Sequence, residues 1–246
     1  MIKICLIRQP AGIGDILICK KIGVIYQLSG YEIIWPIHRA LLDLIPYITT
    51  DFNYICEENP FPFCAFYNKS RGSQFFFDSD TQILKYLPLQ YATDYCQDLI
   101  LQAKFTLAGM DHSDWSKYLF FNRNHEKENH LYYNILGLKD KEEYLLLNPT
   151  YGTPPAINEK NIPFKTSKKI VKISMIPGIT VFDWCKVIEN ASEIHMMDTC
   201  FTTIIEKLNL QTDNLFLYNR DGSPDNPSYN ETIYMYSKPW KLCYLP

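Results

Sequence analysis

Hydrophobic positions fall in short blocks along this chain, and their spacing alternates between continuous and helical. Ile2, Ile4, Cys5, Leu6 and Ile7 form a near-continuous apolar run, as expected of a strand buried on both faces of a parallel sheet. Ile16, Leu17, Ile18, Ile22 and Ile25 then recur at roughly helical spacing. Residues 31–37 (YEIIWPI) predict a second strand, and residues 40–45 begin a second helix. A strand after each helix is the grammar of a parallel α/β sheet. Residues 51–80 carry no sustained period and are expected to be irregular apart from a short strand at 74–77. Leu84, Leu87, Leu99, Leu101 and Leu107 predict a helix over 81–108.

A second series opens after a crossing segment at 113–122 and a charged helix at 126–136. It predicts strands at 144–148, 170–173, 193–197 and 215–218, with helices at 182–189 and 201–208 and a Pro/Gly/Asn-rich loop at 149–163. The two halves repeat one α/β theme. The expected domains are 1–122 and 123–246, with the linker inside 122–143.

Composition narrows the function classes. A hydrophobic content of 47% is that of a folded globular protein, so disorder is not expected. A net charge of -3 with scattered Lys and Arg implies no nucleic-acid partner and no attraction to an anionic membrane. No apolar stretch is long enough for a transmembrane segment, and residues 1–7 read as a first strand, not a signal peptide. The eight cysteines form no CxxC pair, and Cys5, Cys19, Cys185 and Cys200 sit inside apolar runs. They are expected to be buried free thiols of a cytoplasmic protein.

Two places carry candidate chemistry. In the stretch Arg8-Gln-Pro-Ala-Gly-Ile-Gly-Asp15, a glycine loop joins the first strand to the first helix. Gly12 and Gly14 let the backbone turn tightly and approach a ligand. Asp15 falls in the first helical turn, where the helix dipole favours a carboxylate. The loop is neither the dinucleotide fingerprint, which needs a third glycine, nor a phosphate loop ending Gly-Lys-Ser/Thr. A plain strand-to-helix turn with a capping Asp accounts for the same spacing. In the second half, a short strand ends before Asp198, and Thr199, Thr202 and Thr203 open a helix. Backbone N–H groups at a helix start suit phosphate, so a diphosphate site and an ordinary N-cap both remain open here.

The opening "R…GIGDIL", followed by a helix and "YEIIWPI", resembles GT-B glycosyltransferases of the heptosyltransferase type. "NASEIHMMDTCFTTIIEKLNL" is similar to the C-terminal signature of related bacterial and viral sugar transferases, with Cys200 where a Gly is usual. "FFNRNHEKENHLYYNILGL…EYLLLN" resembles their interdomain segment. The resemblance implies an α/β fold of two Rossmann-like domains facing a cleft, a compact GT-B type. It implies an inverting, metal-independent transfer from a nucleotide-sugar donor to a glycan or glycoconjugate acceptor, with no other cofactor. Asp15 matches the proposed general base, with Arg8, Gly12, Gly14, His38 and Arg39 on the acceptor side. Asn148, Asp198, Thr199, Thr202, Thr203 and Arg220 fall on the donor side, Lys241 being a further candidate cation for the leaving diphosphate.

Other motifs have plainer explanations. Asp78 and Asp80 (FFFDSD) are spaced like a DxD that chelates a divalent cation, which would make a metal-dependent glycosyltransferase; a solvated turn with Thr81 entering a helix is the favoured reading. A nucleotide- or glycan-binding protein without catalysis is the remaining alternative. His125 and His130 miss the HExxH zinc spacing by one residue. His195, within an apolar strand, is expected to be a satisfied core histidine.

Overall fold

The computed structural model describes residues 2–48, 51–69, 75–78, 82–94, 96, 100–153, 156–219 and 235–245. Contacts divide the chain into two compact units, Met1–Phe121 and Asn122–Pro246. Both are mixed α/β with parallel sheets.

The first unit runs β1 (Ile2–Ile7), α1 (Ile13–Leu28), β2 (Glu32–Ile37), a 3₁₀ helix (Arg39–Tyr47), β3 (Asn53–Cys56), α2 (Cys64–Lys69), β4 (Phe75–Asp78), β5 (Gln82–Leu87), a 3₁₀ helix (Leu89–Asp94) and α3 (Ile100–Ala108). Its sheet has the order β3-β2-β1-β5-β4, all parallel except the β4–β5 pair. The continuous apolar run of β1 is explained by its central place. Ile4 and Leu6 enter a cluster with Ile34, Tyr67, Leu84 and Tyr86, while Cys5 and Ile7 are also buried. Helix α1 is buried on most of its circumference from Ile13 to Gly23, so two lysines lie inside. Lys20 donates to the Phe120 carbonyl, and Lys21 donates to the Asp111 carbonyl and the Asp114 carboxylate.

The helix expected over 81–108 is corrected: residues 82–87 form the strand between β1 and β4. Ladder bonds on both sides, with Leu84, Tyr86 and Leu87 buried, outweigh leucine's helical preference. Pro88, with no N–H to donate, follows directly on the strand. Residues 51–80, expected to be irregular, contain β3 and α2.

The second unit runs α4 (His125–Asn129), a π-helical turn (His130–Ile135), β6 (Tyr144–Asn148), β7 (Thr150–Thr153), β8 (Ala156–Glu159), β9 (Lys169–Lys172), a 3₁₀ turn (Val181–Trp184), α5 (Cys185–Glu189), β10 (Glu193–Met197), α6 (Cys200–Ile205), β11 (Leu215–Tyr218) and β12 (Trp240–Cys243). The sheet order is β12-β11-β10-β6-β9, every pair parallel. The loop expected at 149–163 holds the antiparallel hairpin β7–β8, and α6 ends at Ile205, short of the expected Leu208. Arg123 forks across two carboxylates here, donating at 2.5–2.8 Å to Glu128 and Glu189. Glu206 likewise accepts from Ser237 and from the Trp240 indole, tying residues 237–240 to α6.

All eight cysteines are free. Burial pushes the Cys5 and Cys185 thiols up, and Cys19 up to about 12. Cys200, expected to be buried, is partly exposed at the start of α6. Among the described residues no helix is long and apolar enough to cross a membrane.

Candidate functional site

In a parallel sheet, ligands bind outside the carboxyl ends of the strands, where the strand order reverses. In the first unit the chain goes from β1 outward to β2 and β3, then returns on the other side of β1 as β5. The reversal therefore lies between β1 and β5. Arg8 N–H donates to Leu87 O at 2.8 Å and Gln90 N–H to Arg8 O at 2.9 Å, so backbone pairing continues past Ile7 and Leu87 before the loops part.

Several predicted acceptor-side residues meet at this edge. Gly12 is the N-cap of α1 at φ +78°, a conformation that disfavours any side chain. A Cβ placed there would stand 2.5 Å from Asp15 Oδ2, so the bare glycine leaves that carboxylate oxygen its place. Gly14 is in the first turn of α1. Asp15 retains 34% side-chain exposure, and its Oδ1 lies 3.3 Å from Lys104 Nζ. Arg8 donates to the Tyr67 carbonyl, with its guanidinium 4.3 Å from the Tyr67 ring and 5.3 Å from that of Tyr91.

His38 and Arg39 separate. The His38 backbone N–H donates to Pro10 O at 2.8 Å, which ties the loop after β2 to the glycine loop. Its Nδ1 caps the following 3₁₀ helix at Ala40 N. Arg39 points to solvent, 65% exposed, and pairs with Glu58 at 2.9 Å.

In the second unit the reversal lies between β6 and β10. Asn148 ends β6, and its Nδ2 donates to Thr199 Oγ1 at 3.2 Å across that gap. Its Oδ1 accepts from Thr150 Oγ1 at 2.9 Å. Asn148, Asp198 and Thr199 are thus brought together. Thr202 and Thr203 are at the same helix start but turned inward, with Thr202 fully buried. The Thr202 hydroxyl is committed to Asp198 Oδ1 at 2.9 Å, Thr199 O at 2.5 Å and Tyr236 Oη at 3.0 Å. The single hydroxyl hydrogen of Thr202 is thus directed into this buried cluster. Burial, with the Asp198 carboxylate beside it, pushes the Tyr236 phenol well above the usual tyrosine range. Arg220 and Asp80 lie outside the described residues, as does the side chain of Asp78.

His195 is the satisfied core histidine expected. It is bonded to Tyr218 Oη and Glu193 Oε1 at 2.8 Å each and stacked on Phe216. Burial holds its pKa below the ordinary value, against the pull of Glu193. His125 is exposed on α4, and among the described residues no group of three or more His, Cys, Asp and Glu side chains is placed to hold a metal.

Sequence reading missed Gln9, Lys104 and Tyr236. The available signal for Lys104 was a lone cation in an otherwise apolar helical stripe, ILQAKFTLA.

No protein-family model matches the chain, and no curated protein matches it. Among solved structures it is similar to the crystal structure of the glycosyl transferase family 9 protein from Veillonella parvula. The match has a TM-score of 0.55 at 9% identity and covers 98% of this chain and 86% of that one. At such identity the likeness is one of fold, a mixed α/β architecture with parallel sheets.

Proposed function

We propose that this chain is a glycosyltransferase that moves a sugar from a nucleotide-sugar donor to a glycan hydroxyl, with inversion and without a metal. The observation that carries the reading is the placement of Asp15. It is a partly exposed carboxylate over a glycine loop at the strand-order reversal of a parallel sheet. The similarity of fold to a glycosyl transferase family 9 protein supports the same class.

In this reading the first unit binds the acceptor. Asp15 takes the hydroxyl proton while the acceptor oxygen bonds to the anomeric carbon. The anomeric carbon–oxygen bond to the diphosphate breaks, and the nucleoside diphosphate leaves with the electron pair. A positioned carboxylate base contributes about 10²–10⁴-fold. The second unit binds the donor through Thr199 and the backbone at the start of α6, with the buried Asn148 holding the Thr199 hydroxyl from behind. Hydrogen-bond donors there offset the charge that develops on the leaving diphosphate. No resident cofactor is required, since the nucleotide sugar is a co-substrate.

Incubation with a panel of nucleotide sugars, with and without EDTA, tests the reading through released nucleoside diphosphate. Release that survives EDTA is the expected result. Release abolished by EDTA would shift the assignment to a metal-dependent transferase using Asp78 and Asp80. Binding without release would leave a non-catalytic nucleotide- or glycan-binding protein.

A further inference from the structure

We infer that Lys104 is a positioning residue for Asp15, acting from behind the carboxylate together with Gln9; this rests on the reading of Asp15 as the base. Lysine is almost never fully buried unless it is paired. Lys104 is 4% exposed, on the face of α3 that also buries Leu101, Phe105 and Ala108. Its ammonium has three N–H groups, and three oxygens stand around it. Gln9 Oε1 is at 2.5 Å, Leu89 O at 3.2 Å and Asp15 Oδ1 at 3.3 Å. They come from the loop after β1, the segment after β5 and the first turn of α1, the three elements that frame the β1–β5 reversal.

Packing alone does not account for a charge here. A methionine would fill similar space, and replacing buried ions by apolar groups of similar volume is often neutral or stabilising. The pair is also lopsided: the ammonium is closed off from water, while the carboxylate keeps a third of its surface open. One carboxylate oxygen is therefore anchored inward and the other lies over Gly12. An aspartate in the first turn of a helix otherwise tends to swing onto the free backbone N–H groups. Lys104 opposes that swing. Gln9 is itself held, its side-chain Nε2 donating to Ala11 O at 2.7 Å and its backbone carbonyl accepting from the Trp35 indole at 3.0 Å.

The test is nucleoside diphosphate release by the full chain, with an active donor taken from the nucleotide-sugar panel. Wild type, Asp15→Asn, Lys104→Met and the double variant are compared, with thermal unfolding as a control for folding. Lys104→Met is expected to lower kcat by about 10²-fold, as for a reacting group displaced by about 1 Å, with the donor KM unchanged. In the Asp15→Asn background the same substitution should change nothing further, because the two residues act as one unit. A merely structural Lys104 would give the same fractional loss in both backgrounds and overturns the inference. So does a folded Lys104→Met within twofold of wild type while Asp15→Asn keeps only a residual rate. An Asp15→Asn variant within a few-fold of wild type removes the base assignment first, and the inference with it. If Lys104→Met does not fold, Lys104→Gln, which keeps a donor in the cluster, carries the same comparison.

Discussion

Replacing Gly12 by alanine separates the backbone needs of the glycine loop from its chemistry. The native φ of +78° is a conformation that costs an L-residue about 1–2 kcal/mol. For a unit of this size that is roughly 5–10 °C in melting temperature. The new methyl would also meet Asp15 Oδ2 at 2.5 Å, well inside contact distance, and the carboxylate is the end that can move. Moving it disturbs the 3.3 Å contact with Lys104 and, on the proposed role of Asp15, displaces the base from the acceptor hydroxyl. A shift of about 1 Å at a reacting group costs about 10²-fold in rate. Gly12→Ala should therefore remain folded, melt slightly lower, bind a nucleoside diphosphate as wild type does, and lose at least that factor in kcat. Calorimetric unfolding, titration with the nucleotide and the release assay report the three quantities separately. A variant that melts lower but transfers within about threefold of wild type would refute the link between this glycine and the carboxylate.

Four further outcomes follow from the geometry. Thr202→Glu should destabilise the second unit by more than about 3 kcal/mol in urea unfolding, because it forces a carboxylate into a buried site beside Asp198. Thr199→Glu, on a partly exposed residue, should leave folding intact and weaken nucleoside diphosphate binding at least tenfold by titration calorimetry. Arg123→Met should cost about 3–5 kcal/mol in the same unfolding assay, since Glu128 is 1% exposed and loses its bidentate partner; adding Glu128→Gln should recover part of that loss. Burial holds Lys20 down to about 7, below its unfolded value, so between about pH 7 and 10 the unfolded chain binds the extra proton. Stability should therefore rise with pH across that window, and urea midpoints of Lys20→Met should lack that component of the slope.

The parts of the fold legible in the sequence were those whose signal is local. Strand β1, the glycine loop and α1 stood out because a strand paired on both sides and buried on both faces must be apolar throughout. Strand β5 did not, since QILKYL carries leucine and isoleucine at positions compatible with either period, and its pairing with β1 decided the outcome. Strand β12 was missed because WKLC is short and only its place beside β11 makes it a strand. The candidate site divides in the same way. Asp15 and Gly12 are neighbours in sequence and were visible together. Lys104 meets Asp15 only through the fold, and the threonines of α6 showed their residue type but not the direction each hydroxyl takes.

The reversal between β1 and β5 also orders events in time as the chain leaves the ribosome. β1 pairs with β2 early, Cys5 with Ile33, and that parallel pair can form once the first βαβ segment has emerged. Its other edge waits for a distant stretch, since Ile2 pairs with Gln82. Through that interval β1 presents an open, apolar strand edge, the kind of surface that invites pairing with the wrong chain. Asp15 is synthesised early, yet its buried counter-charge arrives only with α3. A nascent or truncated chain that ends before Lys104 holds the carboxylate and the glycine loop without the residue that fixes them. On this topology the contact between Asp15 and Lys104 is among the last of the first unit to form.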